Sequence, residues 1–141
     1  MDALDVIAPP CTLKAMLDHP SIKTLLEKQE KQNNLGSVLS LLGWDEQVNL
    51  PPESANQRAR QMATLSEINH SLASDASIEE LLKVLESDWD NLSQKEQTVV
   101  KHSRKDYDRA TRLPADYVRD KAMLDSQAYH AWVQARENND F

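Results

Sequence analysis

Residues 41–65 read LLGWDEQVNLPPESANQRARQMATL. An apolar helical stretch runs into Gly43-Trp44-Asp45, meets the pair Pro51-Pro52, and resumes as a second amphipathic segment carrying Arg58, Gln61 and Leu65. The residue before a proline avoids the α region, so the first helix must stop by about Asn49 or Leu50. Proline is well tolerated in the first helical turn, so the second helix can start at Pro52. Two amphipathic helices joined by so short a break predict a helical hairpin.

Upstream, Pro20 suits the start of the first helix. Ile22, Leu25 and Leu26 open its apolar stripe, and Leu35, Val38, Leu39 and Leu42 continue it at helical spacing. Gly36 interrupts this stretch at a cost of about 1 kcal/mol relative to alanine, unless it serves to let a neighbouring helix approach. Residues 1–19, with Pro9-Pro10 and no sustained periodicity, are expected to form a flexible N-terminal arm with a helical turn near 13–17. Residues 20–141 are expected to form one helical region.

Downstream, the second helix is expected from Pro52 to Leu72, with Ala55, Ala59, Met62, Leu65 and Leu72 on its packed face. A short third helix follows, for which Ser77 and Glu80 form a candidate capping box ahead of Leu81, Leu82 and Leu85. Ser93 and Glu96 form a second one, with Leu92 at the staple position, opening a fourth helix whose apolar face is Val99, Val100, Tyr107 and Ala110. A fifth starts at Pro114, and its stripe of Tyr117, Leu124, Ala128, Ala131, Trp132 and Ala135 is expected to face a core. No glycine cap is visible at its end. The fold class is therefore all-α, with about five helices: a hairpin, a short helix and two longer ones.

Composition agrees and narrows the function. There are only two glycines in 141 residues, and the formal charge of −7 disfavours nucleic acid, whose binding depends on neutralising phosphates. The basic cluster Lys101, Arg104, Lys105, Arg109 and Arg112 is interleaved with Asp106 and Asp108 and reads as a solvated helix face. Cys11 is the single cysteine, which suits a reducing compartment and a cytoplasmic location. No apolar run approaches the length of a membrane span.

Chemistry is sparse. A hydrolytic zinc site commonly uses two histidines one helical turn apart with a glutamate beside the first, so that both imidazoles share a face. His19, His70, His102 and His130 are too scattered for that spacing, and no His-Glu-x-x-His occurs. His70 and His102 fall on polar faces, where exposure is expected; His130 adjoins the apolar stripe, where a hydrogen-bonded packing role is expected. Glu79 and Glu80, Asp88 and Asp90, and Asp106 and Asp108 lack the histidine or apolar pocket that would tune a general acid. Ser126 would need a positioned base to act as a nucleophile, and its proximity to His130 reads as coincidence. Trp44 and Asp45 read as an anchor for the hairpin, with Asp45 accepting from Arg58 or Arg60. Tyr107, Tyr129 and Trp132 suit core or interface positions. The chain is thus expected to have no catalytic, cofactor-binding or metal-binding residues of its own.

The pattern Trp44-Asp45, Pro51-Pro52, Arg58, Gln61, Leu65 resembles the amino-terminal signature of the carboxypeptidase Taq family. Leu113-Pro114, Ala131-Trp132, Ala135-Arg136 and Asn138-Asn139-Asp140-Phe141 resemble the next segment of that family in the same order. The resemblance covers about residues 22–141 and implies an almost entirely helical zinc-dependent metallocarboxypeptidase, homodimeric and acting on peptide C-termini. It also implies that zinc (or another divalent metal), the catalytic glutamate and the clamp for the substrate carboxylate lie further along such an enzyme. The chain is accordingly expected to be an amino-terminal fragment of a larger helical peptidase fold, serving as scaffold and cleft wall beside the remainder of the peptidase. Self-association or a domain swap of helix five is expected from it in isolation. The alternative is a freestanding, non-catalytic helical interaction module descended from such an enzyme.

Overall fold

The computed structural model describes residues 19–140. The helical turn expected near 13–17, Cys11, Phe141 and all of the expected arm except His19 lie outside the described residues. Five α-helices follow in order: α1 (Pro20–Val48), α2 (Ala55–Ala73), α3 (Ala76–Ser87), α4 (Gln94–Ala110) and α5 (Ala115–Asn138). Among the described residues there is no strand, in keeping with the all-α expectation.

α1 and α2 form the hairpin expected from residues 41–65. The break takes a form that the proline pair does not announce: Pro52–Ser54 make one 3-10 turn before α2 opens at Ala55. α1 runs antiparallel to α2, since Leu42 and Asp45 meet Arg58 at one end while Lys28 meets Asp75 at the other. α5 lies along α2, its most extensive neighbour, and runs antiparallel to it as well. Arg119 sits near Glu67, and the Ser126–His130 turn of α5 reaches back to Glu46 on α1.

The apolar core is at the other end of α1. Ile22 and Leu25 of α1, Ile78, Leu82 and Leu85 of α3, Leu92 and Val100 of α4 and its approach form one buried cluster. The i, i+3, i+4 and i+7 spacing within α3 places Ile78, Leu82 and Leu85 on one face, and full burial of each such side chain contributes about 1.5–3 kcal/mol. Leu92, at the staple position, belongs to this cluster, and the Ser93–Glu96 capping box forms reciprocally as expected.

Several expectations are corrected. α3 is capped by Asp75, whose carboxylate accepts from the Ser77 amide at 2.9 Å and from the Ser77 hydroxyl at 2.7 Å. The acid two residues earlier reaches the orphan amide first, so Ser77 becomes a donor to the cap and Glu80 stays exposed. Gly36 does not mediate a close approach, because a Cβ built there would meet nothing within 4 Å. α5 does have a stop: Asn139 adopts the left-handed conformation (φ 52°, ψ 37°), with Asp140 N–H donating to Ala135 and Asn139 N–H to Arg136. Asparagine can take the role expected of glycine there.

The largest correction concerns α5. Tyr117, Leu124, Ala128, Ala131 and Trp132 face solvent, Leu124 at 63% exposure, and only Ala135 of the stripe is half-buried. The residues that lose solvent lie on the opposite face and include Val118, Ala122, Ser126, His130 and Val133. Periodicity identified an apolar face but could not say which side α2 occupies; α2 takes the face of smaller and more polar groups. α1 behaves alike towards its C-terminal end, where Leu41, Trp44 and Val48 form an exposed stripe. Trp44 is thus not the apolar anchor of the hairpin.

A polar clamp at the helix junction

The hairpin is anchored by Arg58. Its guanidinium, 9% exposed, donates to the Leu42 carbonyl at 2.5 Å, to Asp45 Oδ2 at 2.6 Å and to Gln61 Oε1 at 3.2 Å. Of the two arginines open to Asp45, the structure selects Arg58; Arg60 is exposed and bonds Gln57. A planar fork suits this three-way task because three separate nitrogens each meet a different acceptor. The Arg58 bond is the main reason the Asp45 carboxyl titrates below the usual carboxylate range, helped by Asn49 and opposed by partial desolvation.

Next to Asp45 in the chain, Glu46 joins α1 to α5. Its side chain, 8% exposed, accepts from the Ser126 hydroxyl and faces His130 Nε2 at 3.0 Å through the same oxygen, Oε1. The proximity of Ser126 and His130 is therefore not coincidence: one carboxylate gathers both. The order of the bonds decides the chemistry. A nucleophilic serine needs its hydroxyl directed at a base that can take its proton and is itself oriented by a third group. Here the carboxylate stands between serine and imidazole, and Ser126 is buried. The trio is built to hold two helices together. The expected packing role of His130 takes this specific form, with Tyr129 edge-on at 5.3 Å.

The other histidines have separate surroundings. His19, expected in the arm, is the N-cap of α1: its Nδ1 accepts from Ser21 N–H at 3.2 Å, which leaves the proton on Nε2, 3.3 Å from Asp88. Its own amide donates to Glu96 at 3.1 Å. Asp88, expected from the sequence to lack a histidine, is thus paired with one. His70, in the last turn of α2, is half-buried where exposure was expected. His102 is exposed and edges an open groove of about 400 Å³ between α1 and α4, with Gln29, Gln32 and Asn33 opposite.

The charged surface is more ordered than a solvated face. Arg104 leaves the basic cluster to bond Glu86 (2.7 Å) and Glu79 on α3, and lies over the Tyr107 ring at 5.9 Å. Its hydrogen bond holds the Glu79 carboxyl below its ordinary range. Asp75, already capping α3, also accepts from Lys28 at 2.9 Å. That bond first, and those from Ser77 next, bring its pKa down to about 2.

Among the described residues no three histidine, cysteine or acidic side chains are grouped so as to hold a metal ion. The described donors do not fit a zinc centre: Glu46 spends its facing oxygen on Ser126 and His130, and His19 has its Nδ1 lone pair occupied. No helix among them is long and apolar enough to cross a membrane.

A family model described as carboxypeptidase Taq (M32) metallopeptidase matches residues 24–141. Thermostable carboxypeptidase 1 of Thermus thermophilus is 31% identical over 129 residues, covering 89% of this chain and 25% of the relative. Thermostable carboxypeptidase 1 of Pyrococcus furiosus is 26% identical over 129 residues, covering 92% of this chain and 26% of the relative. A crystal structure described as BsuCP superposes with a TM-score of 0.81 at 24% identity, over 87% of this chain and 25% of that one, and shares the fold. The chain spans about a quarter of the length of the relatives it matches.

Proposed function

This chain belongs to the carboxypeptidase Taq metallopeptidase family, and we propose that it is the amino-terminal helical region of a zinc-dependent metallocarboxypeptidase releasing C-terminal amino acids from peptides. The observation that carries this reading is the family match over residues 24–141, set against relatives about four times as long. In such an enzyme the metal activates water and polarises the scissile carbonyl. The residues described here would not touch that chemistry. Their work is to hold helices: Arg58 locks the α1–α2 hairpin, Glu46 ties α1 to α5, and the apolar cluster fixes α3 and α4.

The exposed stripe of Leu41, Trp44 and Val48 supports a role as one wall of the substrate cleft, bordering the remainder of the peptidase. Cytoplasmic location and homodimerisation of the whole enzyme belong to the same proposal. The test uses two preparations. The 141-residue chain with added zinc is expected to release no amino acids from peptides. Substituted for the matched 129 residues of the Thermus thermophilus relative, it is expected to yield an active chimera. Turnover by the isolated chain would overturn the reading.

A second reading has one observation in its favour. Among the described residues the apolar cluster is drawn from α1, α3, Leu92 and α4, a core within this chain of the kind a freestanding helical interaction module requires. A well-folded isolated chain together with a folded but inactive chimera would favour it.

A further inference from the structure

We propose that two copies of this chain exchange α5, each docking its fifth helix on the α1–α2 hairpin of the other, with residues 111–114 as the hinge. The inference is independent of the peptidase reading. It rests on where α5 is held and where it is not.

Nothing in the apolar cluster of α1, α3 and α4 comes from α5, so withdrawing this helix leaves that cluster intact. The one fully buried residue of α5 is Ser126, a hydroxyl and not a hydrocarbon. Yet α5 has the most extensive pairing in the fold, along α2. Its specific contacts join distant positions: Ser126 and His130 to Glu46, and Arg119 to Glu67 at 4.0 Å. A second copy presents the same partners in the same geometry. Exchange therefore replaces each contact with its identical intermolecular counterpart, and the equilibrium is set by concentration and by the hinge.

The hinge is suited to opening. Thr111, Arg112, Leu113 and Pro114 are all exposed, and the backbone bonds across this turn are local: Thr111 to Tyr107, Leu113 to Ala110 and Val118 to Pro114. Leu113 in the hinge and Tyr117 just beyond it are 46% and 53% exposed in the single copy, so the hinge region has apolar surface of its own that a second copy can cover.

The test labels the α2–α5 contact. Glu67→Cys and Arg119→Cys are placed on separate, differently tagged copies of the full chain in a Cys11→Ser background. Both positions are more than 40% exposed, so neither change disturbs the core. The copies are mixed at high concentration and treated with a short bis-maleimide. Exchange predicts a covalent heterodimer that falls away on dilution before cross-linking. Pro114→Ala, which removes the break between α4 and α5, is expected to raise its yield several-fold. A chain that stays monomeric at millimolar concentration overturns the proposal. So does a dimer whose singly substituted copies do not cross-link while a control copy carrying both substitutions cross-links within itself, since α5 then stays on its own chain. Should either cysteine variant fail to fold, NMR on a mixture of isotope-labelled and unlabelled wild-type chains replaces the cross-link. Intermolecular contacts between α2 and α5 in that mixture are then expected, and their absence from a dimer overturns the proposal.

Discussion

Replacing Arg58 with alanine tests the physics of the hairpin most directly. The substitution removes a charge-assisted bond to Asp45, a bond to the Leu42 carbonyl and the packing of a side chain only 9% exposed. Breaking a fully buried ion pair costs about 3–5 kcal/mol, largely because one charge is left without a partner. Asp45 is 35% exposed and can recover water, which moderates that penalty, so about 3 kcal/mol is expected at pH 7. Arg58→Lys keeps the charge, but its three donors share one nitrogen and cannot occupy the three positions from which the guanidinium reaches Gln61, Leu42 and Asp45, so about half the loss is expected from it. Urea unfolding followed by circular dichroism supplies the numbers. Acid supplies the second readout. The folded-state carboxyl of Asp45 titrates below its ordinary value of 3.8, so its stabilisation is complete above that value and disappears as pH falls through the folded one. The deficit of Arg58→Ala relative to wild type must therefore shrink on going from pH 7 towards pH 2. A deficit below about 1 kcal/mol at pH 7, or one that stays constant in acid, would refute the assignment of Arg58 as the anchor.

Gly36→Ala should stabilise the chain by about 1 kcal/mol and raise Tm by roughly 3–5 °C, because the added methyl meets nothing within 4 Å in the middle of a helix. Leu82→Ala, at a site with no solvent exposure, should cost about 2–5 kcal/mol in the same urea assay. Asp75 has a folded pKa of about 2 against an ordinary 3.8, so its contribution is full above pH 4 and fades as pH drops towards 2; Asp75→Ala should flatten the acid limb of the stability profile over that interval. Glu46→Ala should destabilise the attachment of α5 by about 1–3 kcal/mol, leaving Ser126 and His130 without their acceptor, and speed amide exchange in α5 more than in α3 or α4.

What the sequence disclosed was local. Proline geometry gave the hairpin break, the Ser93–Glu96 spacing gave a cap, and helical periodicity gave the buried faces of α3 and α4. Each depends on residues within a turn or two of one another. Glu46 and its partners are separated by 80 and 84 positions, and no local pattern marks a carboxylate as the meeting point of two helices. The reversed face of α5 failed for a related reason. Its apolar stripe is a true feature of the helix, but burial depends on which neighbour arrives, and α2 arrives on the other side. Asp75 illustrates competition: the Ser77–Glu80 spacing suggested one cap, and an ionised acceptor two residues earlier took its place. For the candidate site, the scattered histidines were legible from spacing alone. The engagement of Glu46 and His19 by structural partners shows only once the helices are packed in space.

α1 is 29 residues long, a rod of about 43 Å. One end seats Ile22 and Leu25 in hydrocarbon, and the other seats Leu42, Asp45 and Glu46 against hydrogen-bonding partners. Each residue advances a helix by about 100°, so inserting or deleting a single amino acid between Leu25 and Leu42 would rotate one set of anchors out of phase with the other. Point substitutions at exposed positions of this middle, such as Lys31 and Asn34, are cheap; a change in its residue count is not. Tolerance to indels, in contrast to tolerance to substitution at its exposed positions, should therefore be lowest between the two sets of anchors.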